Sequence, residues 1–154
     1  MLTSFLPTLP FAPPHCALRH GASRLFRVLY KLRPLTELRL SATQLGDDGV
    51  VVLCRALASS GAALEVLELN TCKIGDSGAC ELAHAMVNKA LPEMKELSLS
   101  GNRIAMRGGC ALARFCMLCP MLQRIDLSRN PFGAEIAEGK EPTCDLPFPA
   151  QIRF

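Results

Sequence analysis

The most regular feature of the chain is a spacing of apolar residues that changes between two periods. Leu38 and Leu40 lie two residues apart, so both side chains face the same side of an extended strand. Further along, Gly49, Leu53 and Leu57 recur every four residues, which indicates one face of a helix. The pattern predicts a strand, a short loop and an amphipathic helix.

This unit recurs along the chain, with a strand motif of the form L-x-x-L-x-L. The motif starts at positions 35, 64, 94 and 122, which are 29, 30 and 28 residues apart. One unit cannot bury its apolar faces alone, so parallel copies are expected to stack around a continuous core. The four motifs are residues 35–40 (LTELRL), 64–69 (LEVLEL), 94–99 (MKELSL) and 122–127 (LQRIDL).

The repeats also agree beyond the strand. Asp47 or Asp48, and Asp76 in the second repeat, stand where a helix N-cap accepts backbone N–H bonds, so we expect each to cap its own helix. The aligned positions eight, ten and fourteen residues after each start are Thr43, Cys72, Asn102 and Asn130; Leu45, Ile74, Ile104 and Phe132; and Gly49, Gly78 and Gly108.

Over residues 35–132 the pattern resembles the ribonuclease-inhibitor-like leucine-rich-repeat family, whose repeat reads L-x-x-L-x-L-x-x-N/C-x-L before an amphipathic helix. The same repeat type occurs in ribonuclease inhibitor, Ran GTPase-activating protein and nucleotide-binding receptors. The resemblance implies an α/β leucine-rich-repeat solenoid, a short horseshoe arc with a parallel concave sheet and convex helices. About three full and two partial repeats are expected.

The N-terminal end is open to two interpretations. The phase of Gly21, Leu25 and Leu29 predicts a helix over residues 20–33, which begins a repeat domain at 20–132 after an irregular or disordered segment at 1–19. Alternatively, residues 1–36 contain Arg and Lys but no Asp or Glu, which is typical of an organelle transit peptide.

At the C-terminal end the strand motif persists, but we expect the helix to be lost after Phe132, because Ile136 replaces the repeated glycine. Residues 133–154 are predicted to form a proline-containing cap or tail. Prolines interrupt this segment at Pro142, Pro147 and Pro149, and a cap would fold back Phe148, Ile152 and Phe154.

Composition and charge narrow the functional classes. The 154 residues, 49% hydrophobic and 20% charged, fit one soluble globular domain, and a net charge of +3 is too small to indicate nucleic-acid binding. No signal peptide is visible, and no stretch approaches the roughly 18 apolar residues of a membrane span. We therefore predict an intracellular, cytoplasmic protein with neither nucleic acid nor membrane as partner.

Candidate chemistry is scarce. Cys116 and Cys119 form a C-x-x-C, but no second pair stands at zinc-like spacing, and Cys116 occupies an apolar column of the repeat. His84 has no partner placed to make it a catalytic base. We predict no catalytic residues, no metal and no cofactor, and hence no enzyme.

The side chains that alternate with the buried leucines form the candidate site. They would lie on the concave face, a large rigid surface of the kind that repeat proteins use to bind protein partners. Four acids against two bases make this face mildly acidic, which motivates a basic protein segment as the narrower hypothesis. The predicted set is Glu37, Arg39, Ser41, Val66, Glu68, Asn70, Glu96, Ser98, Ser100, Arg124, Asp126 and Ser128.

The leading functional prediction is thus a non-enzymatic protein-interaction module or scaffold. The resemblance leaves two alternatives, regulation of a small GTPase in the manner of Ran GTPase-activating protein, or a fragment of a nucleotide-binding receptor. The partner, the pathway and the oligomeric state stay open.

Overall fold

The computed structural model describes residues 35–60, 63–87, 92–119, 121–139 and 152–153. Within these ranges strands and helices alternate along the chain, as the change of period predicts. The predicted helix over residues 20–33 lies outside them. The elements are β1 (Glu37–Arg39), α1 (Gly46–Ser60), β2 (Val66–Glu68), α2 (Asp76–Val87), β3 (Glu96–Ser98), α3 (Met106–Leu118), β4 (Arg124–Asp126), α4 (Pro131–Ala137) and β5 (Ile152–Arg153).

The strands form one parallel sheet whose spatial order equals the chain order, β1-β2-β3-β4-β5. Parallel pairing requires a long crossover, which the helices supply in the first three repeats. α1, α2 and α3 pack side by side. The predicted solenoid is confirmed, and its central strand residues stack in register as Leu38, Leu67, Leu97, Ile125 and Ile152.

One apolar core lies between the sheet and the helices. Strand side chains alternate, so one side of each strand is buried while its neighbours face outward. The helices contribute their four-residue stripe, including Leu53 and Leu57 of α1, both almost fully buried. Phe132 is also fully buried, and its ring lies so close to Gly109 that a Cβ there would stand 2.5 Å from it.

The buried loops after the strands are closed by asparagine side chains. Asn102 is 6% exposed, and its Oδ1 accepts hydrogen bonds from the N–H groups of Cys72 (2.9 Å) and Ile74 (3.1 Å) in the preceding repeat. Its Nδ2 donates to the carbonyl oxygens of Leu69 and Leu99, each at 2.8 Å. One amide therefore satisfies four backbone groups that would otherwise be buried without partners.

The aspartates at the helix starts differ from the expectation that each caps its own helix. Asp76 Oδ1 instead accepts from Ala105 N (2.8 Å) and Gly108 N (2.9 Å) of the next repeat. Asp47 Oδ1 likewise accepts from Gly75 N at 2.7 Å. The repeated glycine permits this approach, because a Cβ on Gly108 would lie 2.7 Å from the Asp76 carboxylate.

The expected loss of the last helix is wrong. α4 spans Pro131–Ala137 and begins nine residues after its repeat start, whereas α2 and α3 begin twelve after theirs. Pro131 suits the first helical turn, where its missing N–H costs no hydrogen bond. Because α4 begins earlier, Ile136 lies near its end. The repeated glycine of α2 and α3 lies near the helix start, beside the aspartate of the preceding repeat.

The final segment also supplies a strand. Ile152 is 7% exposed and pairs with Ile125, so β5 extends the sheet by one position. Ile152 therefore folds back onto the last repeat. The other two aromatic residues considered for this role, Phe148 and Phe154, lie outside the described residues.

Replacing Asn102 with Ala is expected to lower the free energy of unfolding by about 3 kcal/mol, because buried N–H and C=O groups would lose their partners. Urea unfolding followed by circular dichroism measures this change. Thr43→Ala is the matched control at the half-buried start of the same column, with an expected loss below about 1 kcal/mol. Equal losses would contradict the role assigned to the asparagine.

Asp76→Ala is expected to cost about 1–2 kcal/mol, as loss of a helix cap does, although the helix affected belongs to the next repeat. The control is Asp48→Ala, an exposed residue in the first turn of α1, with an expected change below about 0.5 kcal/mol. The same unfolding experiment compares the two. A loss from Asp48→Ala as large as that from Asp76→Ala would refute capping between repeats.

Candidate functional site

The twelve predicted residues lie on or directly beside the outward side of the sheet, which we call the sheet face. Strand register places them in three rows that cross β1 to β4. Glu37, Arg39, Ser41, Glu96 and Arg124 are exposed, whereas the other members are half-buried. The rows are Glu37, Val66, Glu96 and Arg124; Arg39, Glu68, Ser98 and Asp126; and, just past the strands, Ser41, Asn70, Ser100 and Ser128.

Much of the acidity predicted for this face is neutralised within the face. Arg39 lies 3.4 Å from a carboxylate oxygen of Glu37 and 3.3 Å from one of Glu68. Arg124 lies 3.8 Å from Asp126. Such solvent-exposed pairs contribute little stability and are easily exchanged for other partners. Glu96, exposed at the centre of its row, forms no ion pair within the described residues.

Arg153 of β5 is a member of the face that the sequence analysis missed. It pairs in register with Asp126 and raises the count of cations on the face to three. The sequence did contain a signal for this strand: Ile152 and Phe154 stand 27 residues after Ile125 and Leu127, so they continue the strand motif of the repeat. Pro149 at the first motif position obscured it, because proline replaces the leucine there.

The Asp126 carboxylate, near the β5 edge of the sheet face, is held in place by hydrogen bonds and by neighbouring arginines. Partial burial alone raises its pKa, but hydrogen bonds from Ser128 and the charges of Arg153 and Arg124 outweigh burial and lower it. The Ser128 N–H donates to Asp126 Oδ1 at 3.0 Å. The carboxylate is therefore ionised and fixed in position at neutral pH.

The third row is a line of uncharged polar residues linked by hydrogen bonds that involve their side chains and backbone N–H groups. Asn70 Oδ1 accepts from Ser98 Oγ and from the Ser100 N–H, each at 2.8 Å. The Asn70 N–H donates to Ser41 Oγ at 3.2 Å. The Ser100 and Ser128 hydroxyls lie 2.9 Å apart. These bonds link the repeats and limit the rotamers available to the polar side chains of the face.

The cysteines resemble core residues in their surroundings. Burial and then the nearby Glu81 charge raise the pKa of Cys54 to about 12, and burial raises that of Cys116 to about 11. Cys119 also has a raised pKa because of burial. A redox-active C-x-x-C has instead a lowered thiol pKa, so the 116–119 pair lacks that property.

The remaining candidates for catalysis or metal binding do not form a cluster within the described residues. His84 is exposed on α2. Across the described ranges, no three His, Cys, Asp or Glu side chains gather into a group that would bind a metal ion. None of the helices described here combines the length and apolar character that crossing a membrane requires.

Parallel strands in register, a helical crossover per repeat and an asparagine closing each later loop define a leucine-rich-repeat solenoid. The Leucine Rich repeat family matches residues 31–54, 63–83 and 118–139. These three ranges carry repeats of this family, and the chain is similar to the ribonuclease-inhibitor-like leucine-rich-repeat proteins.

Two similar proteins illustrate the relationship. Ribonuclease inhibitor of Sus scrofa is 35% identical over 101 residues, which cover 58% of this chain and 22% of that protein. NACHT, LRR and PYD domains-containing protein 12 of Homo sapiens is 43% identical over 68 residues, 44% of this chain and 6% of that protein. The chain therefore spans less than a quarter of either relative.

A similar solved structure is the C-terminal domain of Caenorhabditis elegans tropomodulin. It superposes with a TM-score of 0.59 at 15% identity, over 71% of this chain and 65% of that one. At this identity the likeness concerns the fold alone.

Native-state thiol labelling tests the placement of the cysteines. At pH 8 we expect Cys54 and Cys116 to react with iodoacetamide at least about a hundredfold more slowly than in urea, because burial suppresses the thiolate. Peptide mapping by mass spectrometry gives the rate for each cysteine, and half-buried Cys119 should react at an intermediate rate. Equal rates in native and unfolded protein would show that these thiols are not in the core.

Proposed function

We propose that this chain is a non-enzymatic protein-binding module that holds its partner on the sheet face. The observation that carries the proposal is the row of polar residues just past four neighbouring strands, which side-chain and backbone N–H hydrogen bonds link from repeat to repeat. Ordering side chains at an interface costs free energy, and here bonds between repeats have already restricted several of them. A rigid polar surface of this kind favours a folded or extended protein partner.

The relatives support the same class of function. Leucine-rich-repeat proteins act generally as binding modules, and ribonuclease inhibitor, by its name, acts on another protein. Because the chain spans only 22% of that inhibitor, its specific target is not carried over. What transfers is the use of a repeat surface for protein binding.

For the chemistry of the partner we propose a basic segment centred on β2 and β3. Glu96 is exposed and forms no ion pair within the described residues, and Glu68 is bound only to the exposed Arg39. A lysine or arginine of the partner would therefore meet Glu96 directly and compete with Arg39 for Glu68. Arg124 and Arg153 would repel cations at the opposite end, which restricts where such a segment lies.

Affinity capture from native lysate under reducing conditions, followed by mass spectrometry, tests the proposal. We compare the natural chain with a sheet variant, Glu68→Lys with Glu96→Lys, and a control variant, Asp48→Lys with Glu81→Lys. The control residues are exposed on helices and give the same change in net charge. Circular dichroism must show that all three proteins are folded.

A partner recovered with the natural chain and the control, but reduced at least about tenfold with the sheet variant, is the expected result. Binding should also weaken as salt rises from about 0.1 M to 0.5 M, because exposed charge pairs are screened. Retention by both variants would place the binding site elsewhere. Loss from the sheet variant without salt dependence would leave the sheet face as the site but refute the basic segment.

A second candidate is that the chain is part of a nucleotide-binding receptor. The similarity to NACHT, LRR and PYD domains-containing proteins favours it. An antibody against residues 94–127 would then detect a much larger protein in cells, whereas a band near 16.7 kDa would contradict this candidate. Regulation of a small GTPase has no comparable supporting observation.

A further inference from the structure

The outer surface of the helices carries a second repeated pattern, on the side opposite the sheet face. Twenty residues after the repeat starts stand Arg55, His84 and Arg114, all exposed on α1, α2 and α3. Three residues later on each helix comes an exposed apolar residue. These are Ala58, Val87 (47% exposed) and Met117 (58% exposed).

Helix geometry brings the two sets together. Residues three apart in a helix lie on one face, so each basic residue neighbours the apolar residue that follows it. Because α1, α2 and α3 pack side by side and their repeats are in register, the two sets form adjacent rows across the helices. Leu118 at the end of α3 and Met121, three residues further on, are also exposed, at 65% and 47%, and are included with this row. We call this surface the outer patch.

Packing among the described residues does not account for the outer patch. Among the described residues five large apolar side chains are exposed, and four of them, Val87, Met117, Leu118 and Met121, belong to the patch. Grouped exposure of this kind marks contact surfaces, and methionine adapts its shape readily to a partner.

The arginines also lack a structural explanation within the described residues. Neither Arg55 nor Arg114 is part of an ion pair there. Neither lies in the last turn of its helix, where the helix dipole would favour a cation. Two carboxylates lie on the exposed side of these helices, Asp48 in the first turn of α1 and Glu81 one turn before His84 on α2, and neither forms an ion pair with these arginines.

We propose that the outer patch binds an acidic amphipathic helix of another protein. Charge complementarity selects the acidic character, because Arg55 and Arg114 present cations beside an apolar row. Spacing selects the helix. Packed helices lie about 8–10 Å apart, and residues seven apart on a helix are separated by about 10.5 Å along its axis.

A partner helix lying across α1, α2 and α3 would thus place one apolar side chain over each helix at every seventh position. Its carboxylates three or four positions away would face Arg55 and Arg114. This contact uses the helices, so it is independent of binding on the sheet face.

The probe is a fluorescein-labelled synthetic helix of about 21 residues, with leucine at every seventh position and glutamate on the same side. Fluorescence anisotropy measures its binding to the full chain. The patch variant is Arg55→Glu with Arg114→Glu, and the control is Arg103→Glu with Arg129→Glu. The control arginines are exposed in the loops after the strands and give the same change in net charge. A third protein, Met117→Ser with Leu118→Ser, tests the apolar row without changing charge.

The expected result is saturable binding that weakens about tenfold in the patch variant and in the apolar variant, and less than about twofold in the control. Equal weakening in patch and control variants would overturn the proposal, since only net charge would then matter. Absence of saturable binding up to about 1 mM peptide would also overturn it. Binding to phosphatidylcholine vesicles with about 30% phosphatidylserine, without binding to the peptide, would replace the helix by an anionic membrane surface.

Discussion

Satisfaction of the buried loop backbone by side chains from the adjacent repeat is the constraint on which the rest of the structure depends. Because each of the first four strands has only three residues, the sheet pairs few backbone groups. The loops from strand to helix are buried in part, so their backbone groups need other partners. The Asn102 amide supplies such partners because it pairs with donors and acceptors from two repeats at once. With the loops held, strand register and helix spacing follow, and both the sheet face and the outer patch acquire fixed rows.

The periodic part of the fold was predictable because each column reports one physical environment. Alternation in the strand motif located the sheet face, and the four-residue stripe located the core side of the helices. The ends were harder. Ile136 and Pro149 break their columns, so α4 and β5 escaped notice, and with β5 the cation Arg153. The sequence also did not reveal which N–H groups the Asp76 carboxylate binds. An aspartate at this position suits capping of its own helix and capping of the next helix equally well.

The two surfaces differ in how their charges are used. On the sheet face, Arg39 and Arg124 form ion pairs with neighbouring carboxylates, so a charged partner would have to replace these pairs with its own. On the outer patch, Arg55 and Arg114 form no ion pair within the described residues and stand beside exposed apolar side chains. A short solenoid with these properties has room for two partners at once, since the core separates the two sides.

The bonds between repeats run in opposite directions along the chain, and this orders events during synthesis. A ribosome releases the N-terminal repeats first. The Asp76 carboxylate emerges before Ala105 and Gly108, and is an acceptor in place when the next helix begins. The N–H groups of Cys72 and Ile74, in contrast, have no Asn102 oxygen to donate to until that residue has been synthesised. The loop that contains Cys72 and Ile74 therefore lacks these hydrogen bonds until the next repeat has been synthesised.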